Sequence, residues 1–278
     1  MTTTPLQNLL DDLQQDQALR EPDQLARRLA ALEQLEQLLF HHHGPPAWRG
    51  RAAVFAAELE AINQQLYRRV RDAVRRGNGA DTLSAWAASL RKTGDGEGYD
   101  ALDALVGGML DLQEPGAVVQ LEAEMVFYQP TPARHIFDFI AGAQIGEHDV
   151  VMDLGAGLGQ VVLLTAICTR APCIGVELQP AYVASARACA QALNLRNACF
   201  IARDVRQADL SAGTVFYLYT PFTGSILRAV LALLRQEAQR RAIRLCTFGP
   251  CTATVANEPW LRVLQAGDGG RPALFGSI

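Results

Sequence analysis

The sequence predicts an α/β fold, a doubly wound and mostly parallel seven-stranded sheet with an antiparallel C-terminal hairpin and an all-α N-terminal extension. From Val150 onward, short apolar runs alternate with helical segments, as in a parallel sheet covered on both faces. The last two apolar runs flank a glycine-rich turn at residues 267–270, which indicates a hairpin. The first hundred or so residues instead carry leucine and alanine at helical spacing.

The elements follow in order along the chain. Helices are predicted at residues 6–17, 22–40, 51–76, 82–90 and 99–112, with Asp81 as the N-cap of the fourth. We divide the chain into a helical extension, residues 1–112, and a second domain, residues 113–278. Within the second domain, helices are predicted at residues 133–141, 161–169, 180–192 and 225–240, and strands at 150–154, 173–177, 199–202, 215–219, 244–248, 260–264 and 273–278.

Composition narrows the class of protein. A chain of 278 residues that is 49% hydrophobic can bury a full core, and a net charge of -4 argues against a large nucleic-acid footprint while leaving a local basic patch open. No signal sequence or membrane-spanning run is present, so a cytoplasmic protein with reduced thiols is expected. None of the six cysteines forms a CxxC pair, and the three histidines from His41 to His43 are typical of a helix-end loop, so no metal site is predicted.

The glycine-rich loop after the first strand predicts a cofactor site. Asp153 ends the strand, and Gly155, Gly157 and Gly159 follow at every second position before an apolar helix. A dinucleotide-binding turn has the spacing G-x-G-x-x-G, which would require glycine where Gln160 stands. A nicotinamide-dependent oxidoreductase is therefore a disfavoured alternative.

Two further carboxylates follow neighbouring strands. Glu177 ends the second strand and can accept hydrogen bonds from both hydroxyls of a ribose, while Asp204 follows the third. Because the carboxyl ends of parallel strands meet at one edge, these groups and Asp153 are expected to face one crevice. The alternative is that the glycine turn is structural and the acids are helix caps.

These motifs resemble those of class I S-adenosylmethionine-dependent methyltransferases, which have a Rossmann-like sheet. The run from Asp153 to Val161, followed by Gly175-Val176-Glu177, is similar in particular to the non-SET histone-lysine methyltransferase family. The resemblance spans roughly residues 128–222. It implies S-adenosyl-L-methionine as the cofactor, with the glycine turn under its methionine and ribose portions, Asp153 near its amino end and Asp204 near the adenine amino group.

The resemblance also implies a closing segment upstream of the sheet, where Tyr128 and Thr131 would contact the methionine portion; a plain proline turn is the alternative. The complete set of implied cofactor-binding residues is Tyr128, Thr131, Asp153, Gly155, Ala156, Gly157, Gly159, Gln160, Glu177, Leu178, Asp204 and Val205.

The resemblance is weakest in the segment that would bind the methyl acceptor. After the fourth strand the chain reads Tyr219-Thr220-Pro221-Phe222, in place of the Asn-Asn-Phe-like segment of the histone enzymes or the [Asp/Asn/Ser]-Pro-Pro-aromatic segment of adenine methyltransferases. We expect Tyr219 and Phe222 to line the acceptor pocket as an aromatic wall; the alternative places Phe222 in the core and leaves Tyr219 a half-buried strand end.

No general base is evident, because solvated or capping roles are expected for Glu122, Glu124 and His135. The acceptor is left open among protein, RNA and small molecules, with a protein amine as one candidate; a histone is not supported, because the lysine-rich tail of some histone enzymes is absent. The alternative from another class is a scaffold that binds the cofactor without catalysis. The N-terminal helices are expected either to cap the substrate cleft or to form a homodimer interface.

Overall fold

The computed structural model describes residues 5–41, 46–90, 98–113, 115, 120–267 and 270–278. The described helices are α1 (Pro5–Gln15), α2 (Leu25–His41), α3 (Pro46–Arg75), α4 (Gly79–Leu90), α5 (Ala101–Leu110), α6 (Ala133–Ala143), α7 (Gln160–Cys168), α8 (Pro180–Ala192), α9 (Gly224–Ala238) and α10 (Cys251–Val255). The strands are β1 (Val151–Leu154), β2 (Cys173–Glu177), β3 (Ala198–Ala202), β4 (Val215–Tyr219), β5 (Arg244–Phe248), β6 (Leu261–Gln265) and β7 (Ala273–Ser277).

The seven strands form one sheet in the order β3-β2-β1-β4-β5-β7-β6. Strands β1 to β5 pair in parallel, whereas β7 is antiparallel to β5 and β6 is antiparallel to β7. The predicted fold class is therefore confirmed. A dinucleotide-binding sheet would instead continue beyond the fifth strand in parallel order. The antiparallel β7 beside β5 thus adds a second argument against the oxidoreductase alternative.

The central strands form because their side chains are apolar on both faces. All four residues of β1 are buried, and so are the first four of β4. Helices cover both faces of such a sheet, and every one of its five parallel strands ends at the same edge. The loops that follow β1, β2, β3 and β4 therefore meet there, and this arrangement positions the site.

The N-terminal helices pack directly on the sheet domain. Leu66 and Val74 of α3 and Leu83 of α4 belong to the same hydrophobic cluster as Val162 and Ile167 of α7. A separate cluster lies among α1, α2 and the first half of α3, around Trp48 and Phe55. The division at residue 112 stays a prediction, and the main hydrophobic core extends across it.

Local differences from the predicted elements concern ends and short helices. Helix α3 begins at Pro46 rather than 51, and α4 begins at Gly79, so the prediction of Asp81 as N-cap was wrong. The helix starts earlier because the Asn78 carbonyl accepts hydrogen bonds from the backbone and hydroxyl of Thr82. Helix α10 was not predicted, since five residues carry too little periodicity. His42, His43 and residues 268–269 lie outside the described residues, and no described helix is long and apolar enough to cross a membrane.

Candidate cofactor and acceptor site

A cavity of about 780 Å³ lies at the carboxyl edge of the parallel strands. It is lined by the glycine loop after β1, the ends of β2 to β4, and the chain between residues 120 and 131. All but one of the predicted site residues line this cavity. The exception is Gly159, which precedes α7 and whose backbone packs against the Phe200 ring.

The glycine loop requires glycine for two reasons. Gly155 and Gly157 have φ angles of +96° and +54°, in the left-handed region that favours glycine. A Cβ atom on Gly155 would lie 2.3 Å from the Cβ of Pro221, and one on Gly157 would lie 2.1 Å from the ring carbon Cδ2 of Tyr128. The loop is therefore covered by the chain after β4 on one side and by the Tyr128 ring on the other.

The Glu177 carboxylate is oriented by the loops on either side of it. The Gly157 N–H donates to its Oε2 atom and the Gln179 N–H donates to its Oε1 atom, both at 2.8 Å. A carboxylate has about four acceptor positions, so it can accept further bonds after these two. Because Glu177 lines the cavity, those positions suit a ligand with vicinal hydroxyl groups, as the sequence predicts.

Asp153 lies deeper and is almost fully buried. Burial, together with the nearby negative charge of Glu177, raises the pKa of its carboxyl group to about 8. The free protein therefore holds Asp153 largely protonated at neutral pH. A cationic group bound beside it would favour the ionised form, so this position suits the ammonium end of an amino acid.

Asp204 has the capping role considered for it in the sequence, and its contact with an adenine stays a prediction. Its carboxylate accepts a hydrogen bond from the Arg206 backbone at 2.8 Å, capping the short 3₁₀ turn Val205–Gln207, and it also lines the cavity. The Arg206 side chain bonds to the same carboxylate and to Glu122. Hydrogen bonding from Arg206 lowers the pKa of Asp204, which stays ionised near Val205 and Leu178 at this end of the cavity.

The chain between residues 120 and 131, which we call the crossing segment, lies against the glycine loop and the chain after β4. The Tyr128 ring lies 5.4 Å from the Tyr182 ring, and the Gln160 side chain donates to the backbone carbonyl of buried Thr131 at 3.0 Å. At its other end, the Glu124 carboxylate accepts hydrogen bonds from the backbone N–H groups of Ser225 and Ile226.

These bonds confirm the capping role expected for Glu124. Its carboxylate accepts donors at the N-terminus of α9, and hydrogen bonds from Ser225 lower its pKa. The segment is tied to the chain after β4 a second time, because the Val126 N–H donates to the carbonyl of Pro221 at 3.1 Å. The crossing segment and residues 219–222, which we call the acceptor loop because an acceptor is expected there, are therefore held as one unit.

Tyr219, at the end of β4, and Phe222, in the loop after it, both line the cavity. Tyr219 is half-buried with its ring 4.7 Å from the Phe248 ring, whereas Phe222 is only 4% exposed and belongs to the core. Between them, Thr220 has a left-handed φ of +39°, and its hydroxyl donates to the Phe248 carbonyl at 2.9 Å. The acceptor loop is thus a tight, side-chain-anchored turn.

The two ends of the cavity differ in charge. The acidic and basic side chains among the lining residues are Asp153 on β1, Glu177 at the end of β2, and Arg203 and Asp204 after β3. The lining residues of the crossing segment and of the β4 end are uncharged, and Phe127 there is 83% exposed. Burial raises the pKa of Tyr219, so its hydroxyl is neutral near pH 7.

Several residues that line the cavity were not among the predicted site residues. Tyr217 is fully buried on β4, Tyr182 packs against Tyr128, and Phe127 is exposed at the acceptor end. Only Tyr217 had a usable signal, because on a strand it must share a face with Tyr219. Within the described ranges, no group of histidine, cysteine or carboxylate side chains is arranged to hold a metal ion.

One known protein family matches part of the chain. The family described as "Histone methylation protein DOT1" matches residues 125–212, which include the crossing segment from Met125, the glycine loop, Glu177 and Asp204. No curated protein matches the sequence.

Three solved structures illustrate the structural similarity. An RNA methyltransferase from Salinibacter ruber in complex with S-adenosyl-L-homocysteine is 23% identical, with 54% of this chain and 92% of that chain covered and a TM-score of 0.44. An rRNA methylase from Streptococcus thermophilus is 11% identical, with 54% and 97% covered and a TM-score of 0.37. A precorrin-6y C5,15-methyltransferase from Geobacter metallireducens is 15% identical, with 54% and 89% covered and a TM-score of 0.39.

The site residues fit the cofactor implied by the motif. The glycine loop leaves room where a Cβ would not fit, Glu177 presents free acceptor positions, and Asp153 is a buried carboxyl group whose ionised form a bound cation would favour. Over residues 125–212 the chain resembles the DOT1 family, and its strand order and glycine motif are similar to those of class I S-adenosyl-L-methionine-dependent methyltransferases.

Proposed function

We propose that the protein transfers a methyl group from S-adenosyl-L-methionine to an acceptor that enters beside Tyr219 and Phe222. One observation carries this proposal: a single cavity of about 780 Å³ joins the charged end at β1–β3 to the uncharged end at β4. A scaffold that only bound the cofactor would need the first end. The second end supplies room for another molecule next to it.

Different lining residues are assigned to different parts of the cofactor. When bound, the cofactor supplies an activated methyl group that an acceptor can take by direct displacement, so that alignment of the two reactants provides much of the rate. We assign the ribose hydroxyls to Glu177, the amino end to Asp153 and Thr131, and the adenine to Asp204 and Val205. The crossing segment, through Tyr128, closes over the glycine loop and excludes water from the reacting end.

The acceptor end favours a neutral nucleophile. Tyr219 has a raised pKa and is not ionised near pH 7, so it is a poor general base. Uncharged, partly apolar surroundings disfavour an ammonium ion and so lower the pKa of an entering amine. The resemblance to a histone methylation family supports a protein amine as the acceptor. Desolvation of that amine beside Tyr219 and Phe222 would favour its neutral, reactive form.

The test is transfer of labelled methyl from the cofactor into a fractionated cell lysate. We expect label in the protein fraction, and we expect Glu177→Ala to abolish it while the exposed surface variant Glu147→Ala retains it. Label in RNA or in small molecules would support the methyltransferase activity but would show that the acceptor is not a protein amine. Binding of the cofactor without label in any fraction would favour the scaffold. Cytoplasmic location and a homodimer through the N-terminal helices stay predictions.

A further inference from the structure

Tyr217 on β4 carries a polar atom that the fold does not satisfy. The residue is 0% exposed, and no atom among the described residues meets its hydroxyl in hydrogen-bonding geometry. A buried hydroxyl left without a partner is destabilising, so such groups are rare and usually serve a ligand or an ordered water. The ring itself is held by packing, with its centroid 5.0 Å from that of Phe139.

The position of Tyr217 links it to the cofactor end of the cavity. Strands β1 and β4 are parallel neighbours, and Asp153 is paired with Tyr217 in their register. Paired residues on adjacent strands project to the same face of the sheet, and adjacent strands lie about 4.8 Å apart. Burial raises the pKa of Tyr217, and the Thr131 side chain, which lies near the Tyr217 hydroxyl without meeting it in hydrogen-bonding geometry, opposes that rise. All three residues line the cavity, so Tyr217 borders both groups assigned to the cofactor's amino end.

We propose that Tyr217 is a further positioning residue of the cofactor site, whose hydroxyl serves the amino-acid end of S-adenosyl-L-methionine together with Asp153. A tyrosine hydroxyl both donates and accepts, and this end of the cofactor offers a carboxylate and an ammonium group. The inference rests on the proposed function, because it presumes that the cofactor lies along the glycine loop. It adds a residue from β4 to a site otherwise built from the crossing segment, β1, β2 and the turn after β3.

The test compares two ligands that differ only at the amino-acid end. S-adenosylhomocysteine carries that end, whereas 5′-methylthioadenosine has the same nucleoside and thioether without it. Tyr217→Phe removes one oxygen and keeps the ring. Calorimetry should show at least an about tenfold loss of affinity for S-adenosylhomocysteine, the usual effect of losing a hydrogen bond to a charged group, and no change for 5′-methylthioadenosine.

Tyr67→Phe is the matched control, since Tyr67 is also a buried tyrosine but lies on α3 outside the cavity. It should leave both affinities unchanged. The inference is overturned if Tyr217→Phe changes both affinities equally or neither, because a structural role would not distinguish the two ligands. If the wild type binds neither compound, the proposed function itself fails. The urea midpoint of Tyr217→Phe should equal or exceed that of the wild type, because an unsatisfied hydroxyl is removed; a lower midpoint would show that the hydroxyl is satisfied within the fold.

Discussion

Replacing Gly157 by alanine is the sharpest perturbation of the cofactor loop. The added Cβ would lie 2.1 Å and 2.2 Å from two ring carbons of Tyr128, far inside van der Waals contact, so the ring or the loop must move. The backbone at this position also has a φ of +54°. An alanine in that region costs about 1–2 kcal/mol, and forced repacking costs about 1–3 kcal/mol. We therefore expect the free energy of unfolding to fall by about 2–5 kcal/mol.

The same change should remove cofactor binding, because the displaced ring and loop carry both the Tyr128 contact and the N–H that orients Glu177. Urea unfolding measures the first effect, and calorimetry with S-adenosylhomocysteine measures the second. Gly107→Ala is the matched control, because Gly107 lies inside α5 and a Cβ there would meet nothing within 4 Å. The control should stabilise the protein by about 0.5–1 kcal/mol without affecting binding. A Gly157→Ala protein that unfolds and binds like the wild type would refute this reasoning.

Three other changes give distinct results. Glu177→Gln should weaken S-adenosylhomocysteine binding at least about tenfold, because an amide cannot accept from two N–H groups and two hydroxyls together; calorimetry with unchanged affinity would contradict the role. The raised pKa of Asp153 means that the folded state loses stability as pH rises from about 4 toward 8, by up to about 1.4 kcal/mol per pH unit. Relative to Asp153→Asn, wild-type urea stability should therefore fall between pH 6 and pH 8, and parallel curves would exclude the shift. Thr220→Ser should keep wild-type stability, whereas Thr220→Val should lose about 2 kcal/mol, because the hydroxyl that accepts from the Cys251 N–H is gone; equal urea midpoints would show that this hydroxyl does not matter.

The glycine loop could be predicted because its signal is local. Alternating glycines after a buried strand indicate a particular turn, and Glu177 follows at the end of the next strand. The parallel order of the strands then brings Asp153, Glu177 and Asp204 to one edge without further information. This part of the site depends on periodicity and on one general property of parallel sheets.

The rest depends on contacts between distant parts of the chain. Tyr217 lies in a uniformly buried strand, so the surroundings of its hydroxyl emerge only when β1 is placed beside it. Glu124 caps α9 across a hundred residues of intervening sequence. Thr220 adopts a left-handed backbone although its branched side chain disfavours it, because its hydroxyl bonds to β5 and to the start of α10. Sequence patterns do not encode such partners.

The central claim is that the cavity at the carboxyl edge of β1 to β4 binds S-adenosyl-L-methionine. Isothermal titration of the wild-type protein with S-adenosylhomocysteine tests it most directly. We expect saturable binding of one molecule per chain, lost in Glu177→Ala and retained in Glu147→Ala. Absence of binding by the wild type, or equal binding by Glu177→Ala, would contradict it.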